Sequence, residues 1–349
     1  MKTPTMMKRL CLLTLAAAML ALLPACSRSG GGQPDTIRMT YNVFFPSSHA
    51  AARLAREWAA EIGRRTQGRV VIDVYAGSVL SNDSENFNCV VFGATDLGMS
   101  CFAYNRGLFP LIECLDLPHG YRDGVQATNV ANAFIRHFQP KELAEVELMY
   151  VHAHGPGVLA AKKHVRRHDD VLGLRLRGTG VTALAIRAMG ASAVGLSQGE
   201  TYEALRKGVV EGTLCPIETL CGWRQGEVIE HVTKIPAVGY TTSMFVAMNR
   251  DRWNSLPPDI QQVFRDVNQE WIARHGQTWD DMDREGEAFV LSLGKTVETM
   301  QPDENEKVAQ AMRPLLVSWA EQAEARGLPG KEAVATVARL IAEDNARRP

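Results

Sequence analysis

The sequence predicts an α/β protein in which a sheet flanked by helices is built twice. Three observations predict it: strand-like and helix-like segments alternate from Ile37 to Cys101, the alternation returns from Met149 to Lys207, and an unbroken helical stripe begins at Pro258. Of the 349 residues, 46% are hydrophobic and 22% charged, which excludes a disordered or collagen-like chain and leaves a packed core. With 38 basic and 39 acidic side chains the formal charge is −1, so there is no basic field for nucleic acid.

Residues 1–25 read as an export signal. Lys2, Lys8 and Arg9 lead an apolar run from Leu10 to Leu23, shorter than the ~20 residues a membrane span needs. Ser27 to Pro34 (SRSGGGQP) is then a Gly/Ser/Pro tether without apolar periodicity. Small residues before Cys26, followed by a leash, resemble a bacterial lipoprotein processing site. The resemblance implies a lipid on Cys26, a membrane held through that anchor, and a periplasmic location once the signal is removed. Cys89, Cys101, Cys114, Cys215 and Cys221 follow, an odd set without C-x-x-C spacing, and mostly in apolar surroundings. Buried free thiols are expected.

Ile37 to Phe45 reads as a strand, and Leu54, Trp58 and Ile62 then mark one face of a helix over residues 51–65 that Gly68 ends. Val70 to Tyr75 is a β-branched strand, followed by a loop, a short helix around Phe87, Val90 and Val91, and a strand from Asp96 to Cys101. In the second section the strands are Met149–His152, Leu172–Arg177 and Ser192–Leu196, with helices Thr182–Met189 and Glu200–Lys207. Parallel sheets covered on both faces are expected. From Pro258, the residues Ile260, Phe264, Val267 and Trp271 keep a helical stripe. Continued to about Leu291 it would run roughly 50 Å, long enough to lie across two lobes.

Gly195-Leu196-Ser197-Gln198-Gly199 is a literal G-x-S-x-G between a strand and a helix, the pattern of an exported serine hydrolase. The same serine opens S-x-x-E (Ser197 to Glu200), a capping box, and only His231 and His275 follow it as candidate bases. His152 and His154 on one strand, with His164 and His168 spaced i, i+4, suggest a metal-capturing protein; a solvated basic stretch accounts for the second pair. Arg177 is different in kind. It ends a strand, where open α/β sheets bind ligands, and its guanidinium matches a carboxylate with two parallel hydrogen bonds. Against this, it could be a surface arginine.

Residues 173–177 (GLRLR), 188–191 (AMGA), 200–205 (ETYEAL) and 208–212 (GVVEG), then Pro216 and residues 225–227 (QGE), resemble the solute-binding proteins of tripartite ATP-independent periplasmic (TRAP) transporters. Residues 68–75 (GRVVIDVY), 93–96 (GATD) and 249–257, with Trp253 and Leu256, match the same family in the same order, so the resemblance covers nearly the whole mature chain. It implies a two-lobed periplasmic-binding-protein fold with a long helix spanning both lobes. It also implies no enzyme activity, no cofactor and no metal, a small organic acid as ligand, and the membrane permease subunits of a TRAP transporter as partners.

In that family the arginine of a G-x-K-x-R segment binds the substrate carboxylate, a role that falls on Arg177. The asparagine usual before the later proline is Cys215 here, and a second pocket arginine of some members falls at Gly157. The loss of that cation favours a monocarboxylate, an aromatic acid or an amino-acid-like ligand. Asn42, Asp83, Cys101, Tyr104 and Gln198 match pocket-lining positions. Phe44, Phe45, Tyr104 and Trp223 would wall an apolar body, His154 is a polar candidate, and Glu218 is either a loop charge or a grip for the far end of a zwitterion. The expected lobes are 36–151 plus 240–280, and 152–239 plus 281–349, after a signal (1–25) and a lipid-anchored tether (26–35).

Overall fold

A computed structural model describes residues 36–105 and 107–348. The signal segment and Cys26 lie outside them. Among the described residues no helix is long and apolar enough to cross a membrane.

The first lobe begins with β1 (Ile37–Val43), α1 (Ala50–Arg65), β2 (Val70–Ala76), α2 (Asn86–Val91) and β3 (Leu97–Cys101). These match the alternation read from the sequence. His49 caps α1 by accepting the Ala51 N–H, and Leu54, Trp58 and Ile62 are its buried face. A further helix follows, α3 (Gly124–Phe138), started by Asp123 accepting the Gln126 N–H and stopped by Gln139 in the left-handed region. The next strand, β4 (Val146–Ala153), ends at the crossing into the second lobe.

That lobe holds β5 (Val158–Ala161), β6 (Arg175–Arg177), α4 (Thr182–Ala188), β7 (Ser192–Val194), α5 (Gln198–Lys207), β8 (Gly212–Cys215), α6 (Thr219–Gly222) and β9 (His231–Lys234). The chain then returns through β10 (Ser243–Asn249) and α7 (Arg250–Asn254). It finishes with α8 (Pro258–Ser292), β11 (Thr296–Thr299), α9 (Pro302–Ala325) and α10 (Gly330–Arg347).

The first sheet has the order β2-β1-β3-β10-β4 and the second β11-β9-β5-β8-β6-β7. Neither is wholly parallel, which corrects the sequence expectation. The returning strand β10 runs antiparallel to both β3 and β4, and β5 runs antiparallel to β8 and β9. Six of the seven residues of β10 are buried, because a strand inserted between two others and covered on both faces needs no polar alternation.

Helix α8 runs 35 residues with proline in its first turn and Asp259 against the positive end of its dipole. It packs on α1, α3 and β4 of the first lobe and on α6 and β11 of the second, so it is the spine the stripe predicts. Its contact with the second lobe is set by Gly286: a Cβ there would lie 2.4 Å from the Ile217 carbonyl oxygen. Buried indoles along the spine are satisfied: Trp271 Nε1 donates to the Leu54 carbonyl at 3.2 Å, and Trp58 Nε1 to Asn268 Oδ1 at 3.0 Å.

The end of the chain corrects the expected assignment of residues 281–349 to the second lobe. Val308 and Met312 of α9 join the core of Leu159, Leu176 and Ile186, but Trp319, Ala320 and Ala323 pack with Val130 and Phe134 of the first lobe. Helix α10 stays there through Ala333, Val337 and Ile341. The apolar faces of α3 and α10 cover each other, which no spacing within either segment announces.

Candidate functional site

The carboxyl end of β6 carries Arg177 inward while Arg175, two residues earlier, stays at the surface. Arg175 donates from Nε to the Val209 carbonyl at 3.1 Å and from a terminal nitrogen to the Gly208 carbonyl at 3.2 Å. Arg177 is only 5% exposed. Its Nε donates to the Leu196 carbonyl at 2.9 Å, which orients the guanidinium and leaves its terminal nitrogens for the cavity. Among the described residues it has no carboxylate partner at ion-pair distance, in contrast to Arg65, which is held by Glu61 and Glu270. A buried cation without an anion carries an uncompensated desolvation cost.

The inner cavity that Arg177 lines measures about 30 Å³, space on the order of one water molecule. Beyond it lies an outer cleft of about 1080 Å³, and the two share Phe44, Tyr104, Thr179 and Trp223. These four side chains partition the one from the other. Phe44 stacks on Trp223 at 6.1 Å between centroids and meets Tyr104 edge-on at 5.9 Å. The Tyr104 hydroxyl accepts the Gln198 backbone N–H at 3.2 Å, tying the first lobe to the start of α5.

The structure brings Phe44, Phe45, Cys101, Tyr104, His154, Gln198, Glu218 and Trp223 to the inner cavity with Arg177. Asp83 lines the outer cleft, where burial raises its carboxyl above the usual range although Ser78 donates to it. Two expected residues are elsewhere. Asn42 is bound to Ser81 Oγ at 2.7 Å, and Cys215 sits among Val158, Leu205 and Leu220 while the adjacent Pro216 supplies the wall. Neither lines the inner cavity or the outer cleft. Glu218 is not a loop charge: it is buried, with Oε2 2.8 Å from His49 Nε2. His49 Nδ1 accepts the Ala51 N–H at 3.2 Å, so Nε2 carries the proton donated to the carboxylate.

Tyr240, Met244 and Trp279 also line the cavity, with Thr179, Thr182, Thr219 and Thr242, and no sequence signal marks them. Trp279 belongs to the buried stripe of α8, where a wall residue is indistinguishable from a core residue by spacing.

Groups around the guanidinium feel it. Burial pushes the Cys215 thiol up to about 11, with Arg177 opposing, and it raises the Tyr104 hydroxyl, again against Arg177. Burial is also the main cause that lowers His154 to about 4, and the nearby cation adds to it.

The hydrolase and metal readings lose their geometry. Ser197 heads α5 in a capping box with Glu200, whose carboxylate accepts the Ser197 N–H at 2.8 Å. The later histidines are committed elsewhere: His231 is stacked on His164 and paired with Thr296, and His275 is stacked on His152 and paired with the Tyr150 hydroxyl. His152 Nδ1 accepts the Trp279 indole N–H at 3.1 Å. Among the described residues no group of three His, Cys, Asp or Glu side chains is arranged to hold a metal.

A model of the bacterial extracellular solute-binding proteins of family 7 matches residues 42–322. The C4-dicarboxylate-binding periplasmic protein DctP of Rhodobacter capsulatus is 27% identical over 248 residues, 69% of this chain and 73% of that one. The outer membrane transporter protein TsaT of Comamonas testosteroni is 23% identical over 333 residues, 94% of this chain and 96% of that one. A TRAP periplasmic solute binding protein from Bordetella bronchiseptica, solved with bound (R)- and (S)-mandelate, superposes with a TM-score of 0.82 at 26% identity, covering 88% of this chain and 99% of that one. A TRAP solute binding protein from Rhodoferax ferrireducens, in complex with copurified benzoate, gives 0.85 at 22% identity over 90% and 100% of the two chains, a likeness of fold.

Proposed function

The chain belongs to bacterial extracellular solute-binding protein family 7, the solute-binding proteins of TRAP transporters, and on that premise we propose that it captures a monocarboxylate through Arg177 and delivers it to the permease of such a transporter. The observation that carries the proposal is the buried guanidinium without a carboxylate of its own, oriented by Leu196 and ringed by aromatic side chains. An anion admitted as the lobes part and enclosed as they close supplies the missing charge in a water-poor setting where the attraction is strong. The apolar wall of Phe44, Phe45 and Trp223 suits a ring or hydrocarbon body, and the mandelate bound by the Bordetella bronchiseptica protein is such an acid.

The two lobes close by changes at the crossings 154–157 and 235–242 and along α8, the hinge behaviour of periplasmic binding proteins as a class. The permease partner follows from family membership. Anchoring is part of the proposal: after removal of residues 1–25, a lipid on Cys26 holds the protein at a membrane on the 26–35 tether.

Titration calorimetry with mandelate tests the binding role. Arg177→Ala should weaken affinity by roughly two to three orders of magnitude, the cost of breaking a buried charge pair. An affinity unchanged by the substitution would sink the reading. For the anchor, Cys26→Ala should move the protein from the membrane to the soluble fraction.

A further inference from the structure

The inner cavity presents an unequal set of polar groups. Arg177, the Gln198 side-chain amide and the Trp223 indole all offer N–H donors, and the last two, Gln198 Nε2 and Trp223 Nε1, are buried without a partner. Those donors suit the oxygens of a carboxylate. His154 is the exception. Its Nδ1 lies 2.5 Å from the Gly155 carbonyl oxygen, which can only accept, so Nδ1 carries the ring proton. Burial and the neighbouring Arg177 keep the imidazole neutral at ordinary pH. The opposite nitrogen, Nε2, is therefore an obligate acceptor, and it is buried with no partner on a side chain that is 1% exposed. A buried acceptor left unpaired is costly, so a ligand that reaches it with a donor gains more than one that does not.

Resting on the proposed carboxylate capture by Arg177, we propose that His154 Nε2 selects acids that carry a hydroxyl, accepting the hydroxyl proton while Arg177 holds the carboxylate. The donor is a neutral one. An ammonium at this nitrogen would sit within the field of the same guanidinium, so a hydroxy acid fits better than an amino acid. Glu218, the carboxylate of the cavity, already receives the His49 N–H.

The test compares mandelate, phenylacetate and phenylglycine, which share a phenyl ring and a carboxylate and differ only in hydroxyl, hydrogen or ammonium on the α-carbon. Calorimetry on the wild-type protein should show mandelate binding about ten- to a hundredfold more tightly than phenylacetate. Phenylglycine should bind no better than phenylacetate. His154→Phe, a ring without an acceptor, should abolish the preference, so that mandelate and phenylacetate bind the variant alike. A readout independent of that variant is the ¹⁵N resonance of His154 Nε2, which should shift with mandelate and not with phenylacetate.

Equal wild-type affinity for mandelate and phenylacetate would overturn the selection by His154 while leaving carboxylate capture intact. Phenylglycine binding tighter than mandelate would overturn it in favour of a grip on ammonium by Glu218. Failure of all three acids to bind would overturn both readings together.

Discussion

The ring of Tyr240 fills the space that a side chain at position 157 would need. A Cβ built on Gly157 would stand 1.9 Å from Tyr240 Cε1, and the Gly157 N–H donates to the Tyr240 carbonyl at 3.0 Å. The two crossings between the lobes meet at this pair. Position 157 is thus closed to any side chain here, and Arg177 stands as the arginine of the cavity among the described residues.

Gly157→Ala should accordingly destabilise the protein by about 1–3 kcal/mol, the cost of overpacking a well-filled site. Thermal unfolding measures it. Combining it with Tyr240→Ala should recover part of the loss, and strictly additive effects would show that the two residues do not compete for the same space.

The His49–Glu218 hydrogen bond joins the head of α1 to the loop after β8, with both side chains no more than 2% exposed. Glu218→Ala leaves a buried imidazole N–H unpaired, at about 1–3 kcal/mol. Because the partners come from different lobes, the loss falls on their closure. Small-angle scattering with ligand present should show a larger radius of gyration for Glu218→Ala than for wild type, and Glu218→Gln, which keeps an acceptor, should stay near wild type.

Asp116 receives both the N–H and the hydroxyl of Ser243, at 2.8 and 2.7 Å, and burial pushes its carboxyl up to about 7. Between its ordinary value near 3.8 and about 7 the folded chain holds a proton that the unfolded chain has lost. Its contribution to stability therefore falls as pH rises through that window. Asp116→Asn, which does not titrate, should remove a slope of about 1.4 kcal/mol per pH unit from that window. Melting curves from pH 5 to 8 should show the variant gaining on wild type as pH rises, and parallel curves would refute the assignment.

Among the described residues all five cysteines are free; Cys101, Cys114 and Cys215 are buried, whereas Cys89 and Cys221 are partly accessible. Burial also raises the first three thiols, suppressing the reactive thiolate. A disulfide-exchange reagent should titrate Cys89 and Cys221 in the native protein and reach the other three only after unfolding. Rapid native labelling of Cys101 would contradict its place in the cavity wall.

Much of the frame was legible because it is written in local spacing. Strands β1 to β3 alternate with their helices, and Ile260, Phe264, Val267 and Trp271 repeat at helical intervals after a proline start. Strands β5, β8 and β9 were not legible, since they exist through antiparallel pairing of β5 with β8 and β9 across long stretches of chain. Strand β10 reads as an apolar run, but its insertion between β3 and β4 is a pairing across a long stretch of chain.

The site divides the same way. A strand-ending arginine marked Arg177 as the residue to watch, yet Arg175 shares its strand parity and ended at the surface, because the residues around each side chain decide burial. Glu218 and His49 are 169 positions apart, and nothing near either one announces the other. By itself the sequence determined the alternating α/β frame, the long spine, the family and the arginine, all properties of short windows or of motif order. Only the tertiary structure decided the mixed sheets, the return of α10 to the first lobe, the filling of position 157 by Tyr240 and the bare nitrogen of His154. Those depend on which distant surfaces cover each other, and that is settled by packing and hydrogen-bond satisfaction across the whole chain.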